Sequence, residues 1–233
     1  TYEDSLISTG ETNVEMNVTC RAKPVARAQY TSQPIVIDGV DDKWPLEKVI
    51  RTSEDEGLLW LQWSDDSLYL LAQIYDNDVV VPNALAYYEG ADALELHINL
   101  QPSGGSKPIY LQTVTDPNQH IFWICPKGAG FDGDEPYIGQ WVPERIYNYE
   151  ARNLDAAVRW ESGYYVIEAR IPFYPVLGSF DPIKTKRHNR LGFNFVIHRS
   201  NDQRVYWTEH TPETESVAPS NLGMLILEER VVE

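Results

Sequence analysis

Aromatic side chains that stand beside acidic residues are the first feature of this 233-residue chain that could bind a ligand. Tyr87 and Tyr88 are followed by Glu89, in a segment that shows no strand periodicity. An aromatic ring packs against the C–H face of a sugar, while carboxylate, amide or guanidinium groups bond its hydroxyls. The pattern predicts a saccharide site in this loop. Ordinary packing of the loop is the competing interpretation.

Two tryptophans could cover the second face of a sugar ring. Trp141 lies in the segment 126–149, which is rich in Gly, Pro and Asp and is predicted to be a long surface loop. Trp207 lies at the end of a predicted strand. Either indole could instead anchor its segment to the core. The tryptophans inside apolar predicted strands are expected in the core: Trp60, Trp63 and Trp160.

Asp76-Asn77-Asp78 follows a predicted strand and offers oxygen ligands in a short turn. Calcium prefers several carboxylate and carbonyl oxygens held by a loop. We therefore expect a structural calcium site that uses Asp76 and Asp78, with Asp92 as a third ligand. The competing interpretation is simple turn capping, because Asp and Asn favour turns.

No catalytic signature is present in the sequence. It contains no HExxH, no GxSxG, no phosphate-binding loop and no GxGxxG. Glu95 and Glu168 could be imagined as a glycosidase pair, but 35 acidic residues produce such pairs by chance. The sequence therefore predicts a binding domain and not an enzyme.

The chain is strongly acidic, with a formal net charge of −16 and a pI near 4.6. Such a surface repels phosphate backbones and anionic lipids, so nucleic acid and membrane surfaces are excluded as expected partners. No apolar run approaches the roughly 18 residues of a membrane span. Neutral sugars and calcium remain compatible. Cys20 and Cys125 could form one disulfide in an oxidising compartment, although their spacing does not establish it.

Short apolar segments separated by turn signals predict about eleven strands and no sustained helix. This pattern favours an all-β fold, a two-sheet antiparallel β-sandwich of immunoglobulin-like or jelly-roll type. Residues 1–32 are expected to form an N-terminal arm, and residues 33–233 a single domain. The predicted strands are 34–37, 58–63, 68–75, 92–100, 109–114, 121–124, 156–160, 164–171, 191–199, 204–207 and 222–227.

The composition of three strands also predicts their burial. Segments 58–63 and 68–75 are almost continuously apolar, so both faces of each are expected to be covered. Segment 92–100 alternates apolar and polar residues, which is typical of a half-exposed strand.

Six motifs in order resemble carbohydrate-binding module family 9 over residues 33–228. The resemblance implies a β-sandwich related to haem- or sugar-binding domains of the DOMON type. It implies a non-catalytic, exported module, periplasmic or extracellular, that holds a sugar between two aromatic rings, carries structural calcium and accompanies polysaccharide-degrading enzymes. The motifs are PIVIDGVDDKW (34–44), WSDDSLYL (63–70) with Asp76, GADALEL (90–96), YYVIEARIP (164–172), LGFN (191–194) and NLG (221–223).

The resemblance also implies particular site residues. Glu95 matches a sugar-contacting glutamate of the third motif, and Arg199 ends the strand that begins with the fifth motif. Tyr88 stands near the position of one sandwiching tryptophan of the family. The region of the second tryptophan holds Ser216 and Val217 instead.

We therefore expect a saccharide site at a loop edge lined by Tyr87, Tyr88 and Trp207, with Glu95 and Arg199 as hydroxyl partners. Two alternatives stay open. A protein-interaction domain could keep the fold without the sugar clamp, which the missing tryptophan favours. A haem-binding domain would need Met16 or Met224 as an iron ligand.

Overall fold

The structure is a computed structural model that describes residues 7–9, 12–14, 23–52, 56–81, 90–100, 118–127, 135–141, 149–150, 154–174, 176–177, 190–200, 203–208 and 222–230. These residues form fifteen strands and one 3-10 turn at Asp41–Lys43, which confirms the all-β class. No helix in this part of the chain is long and apolar enough to cross a membrane. The strands are β1 Ile7–Thr9, β2 Thr12–Val14, β3 Val25–Tyr30, β4 Ile50–Arg51, β5 Gly57–Trp63, β6 Ser67–Ile74, β7 Ala93–Asn99, β8 Gln119–Cys125, β9 Tyr137–Trp141, β10 Tyr149–Glu150, β11 Asp155–Glu161, β12 Tyr164–Pro172, β13 Arg190–Arg199, β14 Gln203–Tyr206 and β15 Gly223–Leu227.

One continuous hydrogen-bonded path runs through eleven of these strands. Its order is β10-β9-β8-β7-β13-β15-β3-β5-β6-β12-β11, while β14 pairs with β13 and β4 pairs with β5. The two neighbours of β3 are parallel to it, and the other pairs are antiparallel. β1 and β2 form a separate hairpin. The two halves of the path therefore meet at β3.

Strand β3 lies in the segment that the sequence analysis assigned to an N-terminal arm. Its first part pairs with β15, and its last residues, Gln29 and Tyr30, pair with β5. Ala26 and Ala28 point into the core and are at most 2% exposed. Small residues give a weak hydrophobic signal, which explains why the sequence pattern did not reveal this strand.

The two halves pack on a shared core. Leu61, Leu70 and Ile167 from the β5-β6-β12 half belong to the same buried cluster as Leu96 and Phe195 from the other half.

Strands β5 and β13, one from each half, also approach each other closely. A Cβ atom on Gly57 would lie only 2.3 Å from Ile197 Cδ1, so β5 and β13 touch across the core at this point. A strand glycine is typical of a place where another group comes this near.

Strands β5 and β6 are buried on both faces, as their composition predicted. Trp44 packs on the outer face of this half, in a second cluster with Trp60 and Tyr69. The predicted strand 34–37, which precedes Trp44, is wrong because these residues join no ladder. The chain at 35–44 instead forms a cover over the outer face.

Glu168 on β12 fastens this cover. Its Oε2 accepts hydrogen bonds from the backbone N–H groups of Asp38 (2.7 Å) and Gly39 (2.8 Å), and its Oε1 accepts one from Trp44 Nε1 (3.0 Å). Gly39 has φ of +79°, which glycine adopts without strain, and this lets both N–H groups point at one oxygen. Glu168 is fully buried, so these donors replace the water that its carboxylate has lost.

Three other sequence predictions differ from the structure. β7 is buried on both faces and not half-exposed, because its polar side chains find partners within the protein. The predicted surface loop 126–149 contains β9, which extends the ladder beyond β8. Trp160 is 42% exposed and lies outside the core. The predicted strand 109–114 lies outside the described residues.

We predict that Glu168→Gln lowers the unfolding free energy by roughly 2–4 kcal/mol, because an amide NH2 would face one of three donors in a buried site. Urea denaturation measures the effect. Glu161→Gln is the matched control, since the Glu161 side chain is 40% exposed and should change stability by no more than about 0.5 kcal/mol. Equal stability of the two variants would contradict the anchoring role.

Candidate functional site

A polar row crosses the outer face of the half that contains β8, β7 and β13. Leu94 and Leu96 of β7 point into the shared core, so the alternating residues Glu95, His97 and Asn99 point to the opposite face. All three are buried, with Glu95 at 7% exposure. A strand that carries three buried polar residues must satisfy each of them internally.

Glu95 lies between two histidines. The Nε2 of His97 contacts Glu95 Oε1 at short range, and the Nε2 of His198 lies 2.8 Å from Glu95 Oε2. His97 is two residues along the same strand, whereas His198 comes from β13. Each carboxylate oxygen therefore has its own imidazole partner.

The histidines determine the charge state of Glu95. Burial alone would raise the pKa of this carboxyl, but the charges of His97 and His198 and their hydrogen bonds hold the pKa well below its usual range. Glu95 is therefore an ionised hydrogen-bond acceptor at neutral pH.

An aromatic ring lies next to this carboxylate. Trp123 of β8 is the direct cross-strand neighbour of Glu95, and it packs with Ala93 and Cys125. Its indole lies over Gly139 of β9, where an added Cβ atom would come within 2.0 Å of the ring. β9 therefore needs glycine at this position to leave room for the buried Trp123 ring.

Two further polar contacts continue the row. Asn99 Nδ2 lies 3.5 Å from Gln119 Oε1 on β8. Asn194 Oδ1 accepts a hydrogen bond of 3.2 Å from the backbone N–H of Thr208. The outer face thus carries a carboxylate, imidazoles, amides and an indole side by side, which is the mixture of groups that saccharides require.

Among the predicted ligand residues with described side chains, Glu95, Arg199 and Trp207 lie in different surroundings. Tyr87 and Tyr88 lie outside the described residues, and only the backbone of Trp141 is described, in β9 opposite Ile121. Trp207 packs against two core phenylalanines, with ring centroids 5.7 Å from Phe193 and 6.1 Å from Phe195. Glu95 is the predicted contact that lies on the polar face.

Arg199 has a different environment from its neighbour His198, because alternate residues of β13 point to opposite sides. Its Nε lies 3.3 Å from Glu56 Oε2 and 3.8 Å from Asp76 Oδ2, and an Nη2 hydrogen donates to the carbonyl of Tyr75. Arg199 therefore ties β13 to the ends of β5 and β6.

Two predicted calcium ligands lie close together beside this arginine. Asp92 is fully buried, and its Oδ2 accepts a hydrogen bond from the backbone N–H of Val80. Burial, together with the charge of Asp76, raises the pKa of Asp92 to about 6. Asp92 Oδ1 is buried and has no hydrogen-bond partner among the described residues.

The third predicted ligand, Asp78, is exposed and donates its backbone N–H to Asp76 Oδ1 at 2.8 Å, which is a turn contact. Within the described ranges, no group of three or more His, Cys, Asp or Glu side chains is arranged to hold a metal ion. A cation beside Asp76 and Asp92 would need carbonyl or water oxygens as well.

Sequence analysis missed His97, His198 and Trp123 as site residues. Their signal was present in the alternation of β7 and β13, but alternation does not reveal which strands are neighbours. The register that sets Glu95 opposite Trp123 on one side and Val196 on the other is a tertiary fact.

Cys125 is a free and fully buried thiol, so the disulfide with Cys20 that the sequence left open is not formed. Burial, followed by the charge of Asp92, raises the pKa of the Cys125 thiol to about 12. The thiolate is the reactive form, so this cysteine should be inert in the folded protein.

We predict that a Cys20→Ser variant does not react with a thiol-specific reagent at pH 8 until it is unfolded. One thiol per chain should appear on addition of denaturant, in a colorimetric assay followed over time. Cys20→Ser/Cys125→Ser is the control and should give no signal in either state. Rapid reaction of the native single variant would show that Cys125 is accessible.

Known proteins give an independent view of this fold. No match to a curated protein sequence reached significance. A solved carbohydrate binding module family 9 from Caldicellulosiruptor kristjanssonii in complex with cellotriose is 19% identical, with a TM-score of 0.63 over 90% of this chain and 98% of that chain. The corresponding complex with glucose has a TM-score of 0.59 at the same identity and coverage.

A structure from Bacteroides uniformis is 8% identical, with a TM-score of 0.53 over 89% of this chain and 100% of that chain. These likenesses agree with the fold described above. The sequence profile of the carbohydrate family 9 binding domain-like family matches residues 39–230, which is most of the chain. The chain belongs to this family of carbohydrate-binding modules.

Proposed function

We propose that the chain binds a saccharide at the polar outer face of β8, β7 and β13, with Glu95 as the main hydroxyl partner. The observation that carries the proposal is an ionised carboxylate that two imidazoles hold, one at each oxygen, with Trp123 as its cross-strand neighbour. The solved family 9 complexes contain cellotriose and glucose, so glucose and short glucans are the ligands we propose first. We place this binding outside the cytoplasm, in the service of polysaccharide degradation, as the family resemblance implies.

The chemistry of Glu95 suits a sugar hydroxyl. An ionised carboxylate only accepts hydrogen bonds, and its two oxygens together offer about four lone-pair sites. Hydrogen bonds to a charged acceptor are roughly twice as strong as neutral ones. Glu95 keeps 7% of its surface exposed, so a ligand can reach it without unfolding the strand.

The arrangement supports binding and not hydrolysis. Glu168, the imagined glycosidase partner, lies on β12 in the other half of the fold, and both of its oxygens are used by donors from 38–44. A glycosidase needs two carboxyl groups on either side of one bond. Glu95 and Glu168 do not form such a pair.

We predict that cellotriose or glucose binds with a dissociation constant measurable by calorimetry, and that Glu95→Gln weakens binding about tenfold or more. The loss follows because a charge-assisted hydrogen bond becomes a neutral one and the amide competes for the imidazole N–H groups. Glu161→Gln is the control, since its carboxylate is exposed on β11, far along the ladder.

A blank result with a wide glycan array, in the presence of calcium, would favour the interaction-domain alternative. A Soret absorption band in the purified protein would favour the haem alternative. Binding that survives unchanged in Glu95→Gln would move the saccharide site elsewhere on the domain.

We also propose that calcium binds beside Asp76 and Asp92. The carboxylates of Asp76 and Asp92 repel each other, and Asp92 is fully buried with an oxygen that has no partner among the described residues. Without a cation this arrangement lowers the stability of the folded protein. Backbone carbonyls of the 75–81 turn and water would complete the oxygen set. Asp78 lies close in sequence and could contribute through the same turn.

We predict that calcium raises the melting temperature of the protein and that a chelator lowers it. If calcium stands about 100-fold above its dissociation constant, the unfolding free energy rises by about 2.7 kcal/mol. Asp92→Asn should abolish this response and stabilise the calcium-free protein by removing one of two repelling charges. Asp42→Asn is the control, because its side chain is 66% exposed on the 3-10 turn. An unchanged melting curve with chelator would exclude a stabilising calcium ion.

A further inference from the structure

We propose that His97 and His198 are positioning residues for saccharide binding: their imidazole N–H groups hold the Glu95 carboxylate in one orientation as a permanent hydrogen-bond acceptor. This inference rests on the proposed function and deepens it. It assigns a role to two residues that neither motif matching nor strand alternation singled out.

The geometry fixes the carboxylate at both oxygens. His97 engages Oε1 from the same strand, and His198 engages Oε2 from β13, 2.8 Å away. Each imidazole directs its Nε2 at Glu95, so the Nε2 N–H donates to the carboxylate. The Nδ1 of His97 is buried and has no partner among the described residues, so the contact with Glu95 is the hydrogen bond that orients this ring.

The two histidines lie at different depths. His97 is 1% exposed and holds the carboxylate from within the sheet face, whereas His198 and Glu95 are each 7% exposed. A ligand that reaches Glu95 therefore meets the edge of the His198 ring as well. His198 can offer the same ligand a polar contact, while His97 acts through Glu95 alone.

No other carboxylate competes for these imidazoles on the described parts of β8, β7, β13 and β14. Arg204 of β14 stands opposite His198 in the register. The other titratable side chains that the described strands place on this face are Tyr206 of β14, Tyr137 of β9 and Cys125 of β8. Glu95 is thus the one carboxylate on the described parts of β8, β7, β13 and β14.

The consequence is a binding site that stays functional in acid. Burial would by itself raise the pKa of Glu95, so without the histidines the carboxyl would take up a proton at a higher pH. The histidines oppose this and keep the pKa well below the usual range. Saccharide binding should therefore be flat from pH 8 down to pH 5 in the native protein and acid-sensitive when the histidines are removed.

The test combines two readouts on the full chain. The first is the titration of the Glu95 side-chain carboxyl by carbon NMR in the free protein, which requires no sugar. The second is cellotriose binding by calorimetry at pH 5 and pH 8.

The variants are His198→Leu, which loses donor and charge, His198→Gln, which keeps an N–H donor, and His97→Gln. His120→Gln is the matched control, because His120 stands opposite Ile98, which faces the core, and its ring stacks on Phe122.

We expect Glu95 in His198→Leu to titrate at higher pH than in the native protein, and binding at pH 5 to fall about tenfold below its value at pH 8. His198→Gln should bind normally at pH 8 and lose affinity at pH 5, while His120→Gln should match the native protein throughout. Native-like Glu95 titration in His198→Gln and His97→Gln would overturn the inference, even if His198→Leu fails to fold. If the native protein binds no sugar, the proposed function is wrong. The Glu95 titration still tests separately whether the histidines hold the carboxylate.

Discussion

The shared strand β3 is the constraint on which the rest of the molecule depends. The first part of β3 pairs with β15 and its last two residues pair with β5. This six-residue strand therefore hydrogen-bonds to one half at its start and to the other half at its end. Each half has an apolar face toward the other half, and the change of partner lets those two faces close on a common core. Ala26 and Ala28 keep the crossing point narrow, because a larger side chain there would separate the halves. Without β3 each half would leave a long unpaired edge and an exposed apolar face.

Two buried carboxylates illustrate opposite uses of the same chemistry. Glu168 accepts hydrogen bonds from backbone and indole donors of residues 38–44. These bonds hold the covering segment on the outer face of one half. Glu95 is held by two imidazoles of its own sheet face, one at each oxygen. Burial demands compensation in both cases, but the donors come from a covering segment in the first and from strand side chains in the second.

The outer face around Glu95 also depends on β9, the strand that follows β8 in the ladder. Gly139 leaves room for the Trp123 indole, and Trp123 in turn lies beside Glu95. A ring, a carboxylate and two imidazoles are brought together from β8, β7 and β13, which are distant in sequence.

Local pattern determined the all-β class of this chain, most of its described strands and the burial of β5 and β6, and a short motif singled out Glu95, because alternation, composition and motifs are properties of neighbouring residues. The tertiary structure decided what depends on register: that β3 unites the halves, that Arg199 turns toward Glu56 while His198 faces Glu95, and that β7 is buried despite its polar residues. Alternation assigns residues to one face or the other of a strand, but it cannot say which strands will be neighbours. Since hydrogen bonds between β7 and β13 join residues about a hundred positions apart, only the folded chain could show that Glu95 has two histidines as partners.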